Sequence, residues 1–478
     1  MRTPPWSTPA KLAGAAVLTA LVAGCAVTPD YQKPGLTPPA AFRFQPEPPG
    51  AASIADSSWA EVYPDPVLQA LIAEGMANNQ DLQIAAARIE RARAILGVAR
   101  SAGLPQLNYR FDAGGENRFV PDSRSIGTAQ VGTVGGALEA AWEFDVWGRI
   151  KRSTEAAQAN LMAEEAVRHG VMLSLVADLS TGYFRLLQLD REVAIAQESE
   201  QVFRQSVDLY AKRFEAGRDN RLPVERARAN YEASTAKVED LRRLIALQED
   251  AISVLVGGYP HAIARGRPLL SQPLTTTSVG PTTALLQRRP DILEAEQRMI
   301  AANAEVGVAI ANKFPRIGLS ALAGGLTAGF EGHWDEFGVW NLALSAAGPI
   351  FSGGRLQSIE KERRAHWDET VAGYRRTVLV AFRETADALA AEQTLARRRV
   401  ALQNQVDALR RATELAATRY SEGRVGYYEV LEAQQLLYPA EDALAQTEGE
   451  QLVAVVSLYK ALGGGWQQAA SGASASAK

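Results

Sequence analysis

Cysteine is nearly missing from this chain. The one thiol among 478 residues is Cys25, which rules out a CxxC redox or zinc motif. Histidine is almost as scarce. His169, His261, His333 and His366 stand singly, a pattern that suits surface or interface positions better than a metal site or a catalytic base. No HExxH, GxSxG or P-loop stretch occurs, so the motifs of common hydrolases, metalloproteases and nucleotide-binding enzymes are lacking and no cofactor or metal is expected. Basic excess is lacking too. With 50 Lys and Arg against 54 Asp and Glu, the formal charge is −4, which argues against a general nucleic-acid binder. Long apolar runs are absent apart from Leu12 to Ala23, which is too short to cross a bilayer as a helix.

That run has a clear reading. Basic Arg2 and Lys11 precede it and small residues close it, the anatomy of a secretory signal over residues 1–24. A plain signal needs no cysteine, yet Cys25 follows directly on Val22-Ala23-Gly24, as in a bacterial lipobox whose thiol is acylated and becomes the mature N-terminus. Residue 26 is Ala and not the Asp that commonly retains lipoproteins in the inner membrane, which favours the outer membrane. Residues 25–60 are rich in proline up to about residue 50 and are expected to form an extended strap without a core of its own. The segment 467–478 is of low complexity and is expected to be disordered.

Length alone would allow about three domains, but the chain repeats itself. RFEAGRDNRLPVERAR from Arg213 lies over RYSEGRVGYYEVLEAQ from Arg419, with Gly217 on Gly423, Val224 on Val430 and Ala227 on Ala433 at a constant offset of 206. Gly148-Arg149 on Gly354-Arg355 and Gly257-Gly258 on Gly463-Gly464 keep that offset, while Asp81 on Asp291, Arg88 on Arg298 and Pro105 on Pro315 lie at 210. Glycine and proline fix backbone geometry at the corners of a unit, so this register indicates an internal duplication. The first repeat is taken as 61–260 and the second as 283–466, with a linker at 261–282.

Each half reads as helix, hairpin, long helix, helix. Helical patterns run from Pro66 to about Ser101, Lys151 to about Ala216 and Pro223 to Val256, and again over about 283–312, from Leu356 to about Ser421 and from Tyr428 to Leu462. At about 1.5 Å per residue the long helices reach roughly 100 Å, and the two short ones of each half, end to end, match that length. Leu402, Val406, Leu409, Thr413, Ala416 and Tyr420 step by four and three, the spacing of a coiled-coil seam. Taken alone, that would describe a solvated stalk.

The hairpins argue otherwise. Leu107, Tyr109, Phe111 and Ala113 alternate with Gln106, Asn108, Arg110 and Asp112 in a hairpin over about 104–145 whose second strand runs from Thr133 to Asp145. Ile317, Leu319, Ala321 and Ala323, with Leu322 out of phase, and Trp340, Leu342, Leu344 and Ala346 do the same over about 315–351. Strands of about 9–11 residues cross a bilayer when tilted. Phe119, Trp147, Phe314, Trp334, Phe337 and Phe351 lie near their ends, like the aromatic girdles of outer-membrane barrels. Four strands cannot close, and an open edge in lipid costs several kcal/mol per unpaired backbone group. The chain must therefore oligomerise, with eight strands from two copies or twelve from three.

Several stretches, in order, resemble one family: CAVTPDYQKP, LLQRRPDILEAEQRMIAANAEVGVAIANKFPRIGLSA, WEFDVWGR with GPIFSGGR, YSEGRVGYYEVLEAQ and YKALGGGW. They are similar to the TolC-like outer-membrane efflux factors, nearest to the lipoprotein branch called NodT. The resemblance implies a mainly α fold with a long helical tunnel, a membrane β-barrel of twelve strands from a homotrimer and a mixed equatorial collar. It also implies a passive exit duct for drugs or other small molecules. The implied partners are a periplasmic adaptor and an inner-membrane transporter, usually of the RND class. A duct for type I protein secretion and a lipid-anchored periplasmic scaffold without a pore are the alternatives.

In that family the helix-turn-helix tips close the tunnel, so six tips from three chains would form an iris. Tyr420 and Gly423 match the tip pattern, Tyr428 stands at the constricting hydrophobic position, and Glu429 and Glu432 stand where relatives carry aspartates. Arg424 neighbours Val425, which occupies a place where others have arginine, so closure through an arginine-centred network is not implied here. Glu432 is mirrored by Arg226, which suggests a latch between neighbouring tips. Both glutamates also fall in the first turns of a helix, where they favour the dipole by about 0.3–1 kcal/mol. The anchor is tested directly: Cys25→Ser should abolish incorporation of labelled fatty acid, and label retained in the variant would refute acylation at this residue.

Overall fold

The computed structural model describes residues 30–45, 53–121, 126–273, 278–330 and 333–466, leaving Cys25 and the 467–478 tail outside the described residues. In chain order the helices are α1 (Trp59–Val62), α2 (Pro66–Asn78), α3 (Gln80–Ser101), α4 (Arg149–Glu215), α5 (Arg221–Leu255), α6 (Leu285–Arg288), α7 (Pro290–Ala311), α8 (Arg355–Ser421) and α9 (Tyr427–Ala461). The strands are β1 (Gln106–Pro121), β2 (Ile126–Phe144), β3 (Arg316–Phe330) and β4 (His333–Ala347). The described residues fall into two compact units, one within the ranges 1–35, 88–164 and 294–374 and the other within 36–87, 165–293 and 375–478. No described helix is long and apolar enough to cross a membrane.

The first unit holds the sheet, antiparallel in the order β1-β2-β3-β4. Its register decides what each face carries. Tyr109 lies opposite Leu138, Leu138 opposite Ala323 and Ala323 opposite Trp340, and Leu107, Ala140, Ala321 and Leu342 form the next rung. Because side chains alternate across a pleated sheet, all four apolar sets fall on one face. Its large side chains are exposed, Tyr109 at 85% and Trp340 at 82%. The other face carries Asn108, Arg110 and Asp112, then Glu139 beside Leu322 and Asn341, with Arg110 and Asp112 paired at 2.6 Å. The outer edges of β1 and β4 have no strand partner among the described residues.

The strands have 15 to 19 residues, longer than the 9–11 read from side-chain alternation. Part of the extra length follows positions where glycine takes the place of the apolar residue, as at Gly115 opposite Gly132 and Gly132 opposite Gly329. Backbone pairing continues there without a side-chain signal. The Trp334 indole covers these glycines: a β-carbon at Gly132 or Gly329 would come within 2.7 Å of it. Phe337 departs from the girdle reading, because the pleat places it opposite Leu326 on the partly polar face. Trp147 stacks on Phe314 at 4.8 Å and donates to the Pro315 carbonyl at 2.7 Å, while the Phe119 side chain lies outside the described residues.

Helices of the same unit pack beside the sheet's connections. Ile89, Ala92 and Leu96 of α3 bury against Ala157 and Leu161 of α4. In the second half Glu305 of α7 pairs with Arg363 of α8 at 2.7 Å. Asp30 in the strap accepts from the buried Arg152 at 2.8 Å, and Lys33 reaches Glu296 at 2.7 Å.

The second unit is helical. Leu189 and Ala196 of α4 pack on Val238 and Leu241 of α5, and Leu402, Val406 and Leu409 of α8 pack on Leu437, Ala440 and Leu444 of α9. The coiled-coil seam thus faces α9. Phe42 of the strap packs on Phe382 in a tilted arrangement, ring centroids 5.5 Å apart, and the Phe44 carbonyl accepts from Gln393 at 2.8 Å. Buried Asp65 gathers the linker. It caps α2 through Val67 and Leu68 N–H and accepts from Tyr183 Oη, Arg267 N–H and Gln272 Nε2.

Two helices read as continuous are interrupted. Asn79 leaves the helical region (ψ 131) and separates α2 from α3, with its Oδ1 accepting from Asp81 and Leu82 N–H. Its counterpart Arg289 (ψ 121) precedes Pro290, whose ring disfavours a helical residue before it. Both breaks sit at offset 210, so the duplication extends to the defects. Pro439, by contrast, lies inside a continuous α9.

Burial alone would raise the Asp65 pKa, but the hydrogen bonds from Gln272, Arg267, Val67 and Leu68 outweigh it and hold the group below its ordinary value of 3.8. Its stabilising contribution is therefore complete above that value and fades as pH falls through the lower folded-state pKa. Asp65→Ala should cost about 3 kcal/mol, because several buried donors lose their acceptor together. Thermal unfolding followed by circular dichroism checks this, with the gap between variant and wild type narrowing in strong acid.

Candidate functional site

The two turns that close α4-α5 and α8-α9 lie in the second unit and are built alike. Gly217 and Gly423 have φ of +70° and +71°, a conformation that costs glycine nothing and other residues about 1 kcal/mol or more. Arg218 N–H reaches the Arg213 carbonyl and Arg424 N–H the Arg419 carbonyl, both at 2.9 Å. These six-to-one bonds satisfy the last carbonyls of each long helix. The following helices start differently. Asn220 caps α5 through Leu222 N–H, whereas α9 begins at Gly426 with no side-chain cap.

Between the turns runs a tyrosine cluster. Tyr420 and Tyr427 meet edge to face at 5.0 Å, and Tyr427 meets Tyr210 likewise at 5.1 Å. The Tyr427 hydroxyl lies 2.7 Å from Ser206 Oγ. Arg213 ties both tips, donating to Asp219 at 2.6 Å and to Tyr420 Oη at 2.8 Å. Those two hydrogen bonds, from Tyr420 first and then Asp219, raise the Arg213 pKa further, so it stays charged. Burial, reinforced by Tyr427 and Tyr420, pushes the Tyr210 phenol well above its usual range. Together the cluster forms a clasp from one turn to the other.

The residues singled out by sequence fall around this clasp. Tyr420 is part of it, and Gly423 makes the turn. Arg424 leans on Glu422 at 3.0 Å. Tyr428 is 56% exposed, with the Arg226 guanidinium 5.7 Å from its ring centroid, a cation–π distance. Glu429 faces Arg419 at 3.6 Å, and Glu432 is exposed. Within one chain Arg226 therefore covers Tyr428 and forms no ion pair with Glu432 among the described residues. Arg213, Asp219, Ser206, Tyr210 and Tyr427 were not singled out. Arg213 was legible in principle, since it aligns with Arg419 at the repeat offset. Tyr210 and Tyr427 had no such signal, because their contact with each other and that of Tyr427 with Ser206 cross from one helical hairpin to the other.

Elsewhere the histidines are dispersed. His169 stacks on Trp466 at 4.4 Å, with its pKa lowered by burial and by Arg168. His261 lies 2.9 Å from the Tyr259 carbonyl and His366 3.3 Å from Glu369. The His333 side chain is outside the described residues. Tyr420→Phe should remove the Arg213 tie and leave the rings packed. Amide exchange over 213–228 and 419–431 should then rise several-fold while the rest of α4 and α8 is unchanged.

The sequence pattern of a family described as outer membrane efflux protein matches residues 71–258 and 283–464. The cation efflux system protein CusC of Escherichia coli O6:H1 is 31% identical over 470 residues, covering 96% of this chain and 100% of CusC. The toluene efflux pump outer membrane protein TtgC of Pseudomonas putida is 32% identical, covering 95% of both chains. The solved outer-membrane channel OprN superposes with a TM-score of 0.83 at 31% identity, over 93% of this chain and 100% of OprN.

Proposed function

This chain belongs to the outer membrane efflux protein family, and from that premise we propose that three copies close a 12-stranded barrel and that their paired turns form the gate of the duct. It is an outer-membrane channel of a tripartite efflux system, working with an adaptor and an inner-membrane transporter; we assign the transporter to the RND class. The observation that carries the reading is the sheet, with one face apolar from Leu107 and Leu344 as far as Phe111 and Trp340, a more polar face on β1 and β2, and two edges without a strand partner among the described residues. In hydrocarbon those edges must be paired, and β4 of one copy beside β1 of the next does so with the apolar face outward. A scaffold without a pore would have no use for that face.

The gate reading starts from exposure. Tyr428, Glu429 and Glu432 are exposed in the single chain, and three copies would bring three tyrosines and six carboxylates around one axis. Like charges in a narrow passage with low-dielectric walls focus the field and attract cations. Passage through such a duct requires no catalytic group. Arg226, seated on the Tyr428 ring, holds that ring in place and lowers the local negative charge. A latch from Arg226 to Glu432 would have to form between different chains. CusC and TtgC are named for different cargoes, so the shared fold leaves cargo choice to the transporter.

Chemical crosslinking in membranes should stop at three chains, and a monomer stable in lipid would overturn the architecture. In planar bilayers the channel should be cation-selective and blocked by polyvalent cations from the periplasmic side. Glu429→Gln with Glu432→Gln should weaken that block. Tyr428→Ala should raise conductance independently of charge, and Arg226→Ala should raise it by freeing the ring. A double Gln variant identical to wild type in selectivity and block would leave the duct and remove the gate.

A further inference from the structure

The duplication supplies an internal control at the corners where strand passes to long helix. In the first half the corner is electrostatically complete. Arg149 donates to both oxygens of Glu143, at 3.0 and 2.8 Å. Asp145 accepts from the N–H groups of Ile150 and Lys151, at 2.9 and 2.7 Å. The opening turn of α4 thus has a carboxylate on its free donors and another on its first arginine.

In the second half, at offset 206, Arg149 becomes Arg355, but Glu143 becomes Pro349 and Asp145 becomes Phe351. Both carboxylates are gone while the arginine remains. Arg355 forms no ion pair, and no side chain accepts from the N–H groups of Leu356 or Gln357 among the described residues. A second arginine, Arg316, stands where the first repeat has Gln106, and it too forms no ion pair among the described residues. Arg316 and Arg355 line one cavity of about 290 Å³ together with Phe314, Pro349, Leu356 and Ile359. Ile350 and Phe351 beside it are fully or almost fully exposed.

We propose that this cavity binds the phosphate of an anionic membrane phospholipid, with Arg316, Arg355 and the first N–H groups of α8 on the phosphate and the acyl chains along Phe314, Ile350 and Phe351. Two guanidiniums and a helix N-terminus are suited to a multivalent oxyanion. The apolar lining and the exposed aromatic continue the apolar face of β4, which reaches Leu344 and Ala346 just before the corner. The alternative donor of negative charge, a neighbouring copy, brings the start of β1 to this edge. There the chain reads Arg100-Ser101-Ala102-Gly103-Leu104-Pro105-Gln106, which adds a cation and no carboxylate. The proposal rests on the membrane reading of the sheet and adds to it a lipid of defined charge.

The test uses full-length assembled protein and soluble dihexanoyl phosphatidylglycerol, with native mass spectrometry counting bound lipid. Wild type should retain the lipid, and the double variant Arg316→Gln, Arg355→Gln should lose at least ten-fold in affinity. Arg149→Gln, at the completed corner, should bind like wild type. Grafting the first-half acids, Pro349→Glu with Phe351→Asp, should abolish retention while channel conductance persists, which separates failure of this site from failure of the duct reading. Equal retention by all variants would overturn the proposal. So would inorganic phosphate binding as tightly as the lipid, since the site would then be one for a free anion.

Discussion

A β-sheet edge left open in hydrocarbon exposes a row of N–H and C=O groups that no water can satisfy, at several kcal/mol each. This chain carries two such edges, on β1 and β4. A strand of 15 residues like β4 presents roughly half of its backbone groups outward, so leaving the edge open would cost more than the whole stability of an ordinary domain. Edge pairing between copies is therefore a condition for membrane insertion. The apolar face can meet lipid only once the edges are paired, and the polar face can enclose water only in a closed ring.

Duplication meets the same constraint economically in structure. Two hairpins of one design give a sheet whose register brings the apolar sets around Leu107, Leu138, Leu319 and Leu342 onto one face without a crossover, because consecutive strands are neighbours. The same repeat sets Gly217 and Gly423 at matching φ and breaks the short helices at Asn79 and Arg289. Where the repeats diverge, chemistry has changed on a common backbone. The tips exchange Asn220 for Gly426 and Arg226 for Glu432, and the membrane-side corners exchange Glu143 and Asp145 for Pro349 and Phe351.

The tip clasp depends on weak, separable contacts. Edge-to-face rings contribute about 0.5–1.5 kcal/mol each beyond burial, and the Arg213 bonds sit at a half-exposed position where solvent screens them. Contacts of this kind can separate without unfolding the helices, whose packing at Val406, Leu437 and Leu444 lies farther along α8 and α9.

Much of this was legible in sequence. Glycine and proline at constant offsets gave the duplication, heptad spacing at Leu402, Val406 and Leu409 gave the seam, and alternation at Leu107, Tyr109 and Phe111 gave a two-faced strand, because each of these depends on local backbone geometry. Strand ends were not legible, since glycine pairs through its backbone and leaves no hydrophobic mark, and polar residues such as Glu336 interrupt the alternation. The girdle assignment of Phe337 needed the register, as one step along a strand reverses the face. Nor could sequence assign Arg226 to Tyr428 or bring Arg213 to Tyr420. Those partners lie about two hundred residues apart, and only the packing of one helical hairpin on the other decides which side chains come within reach.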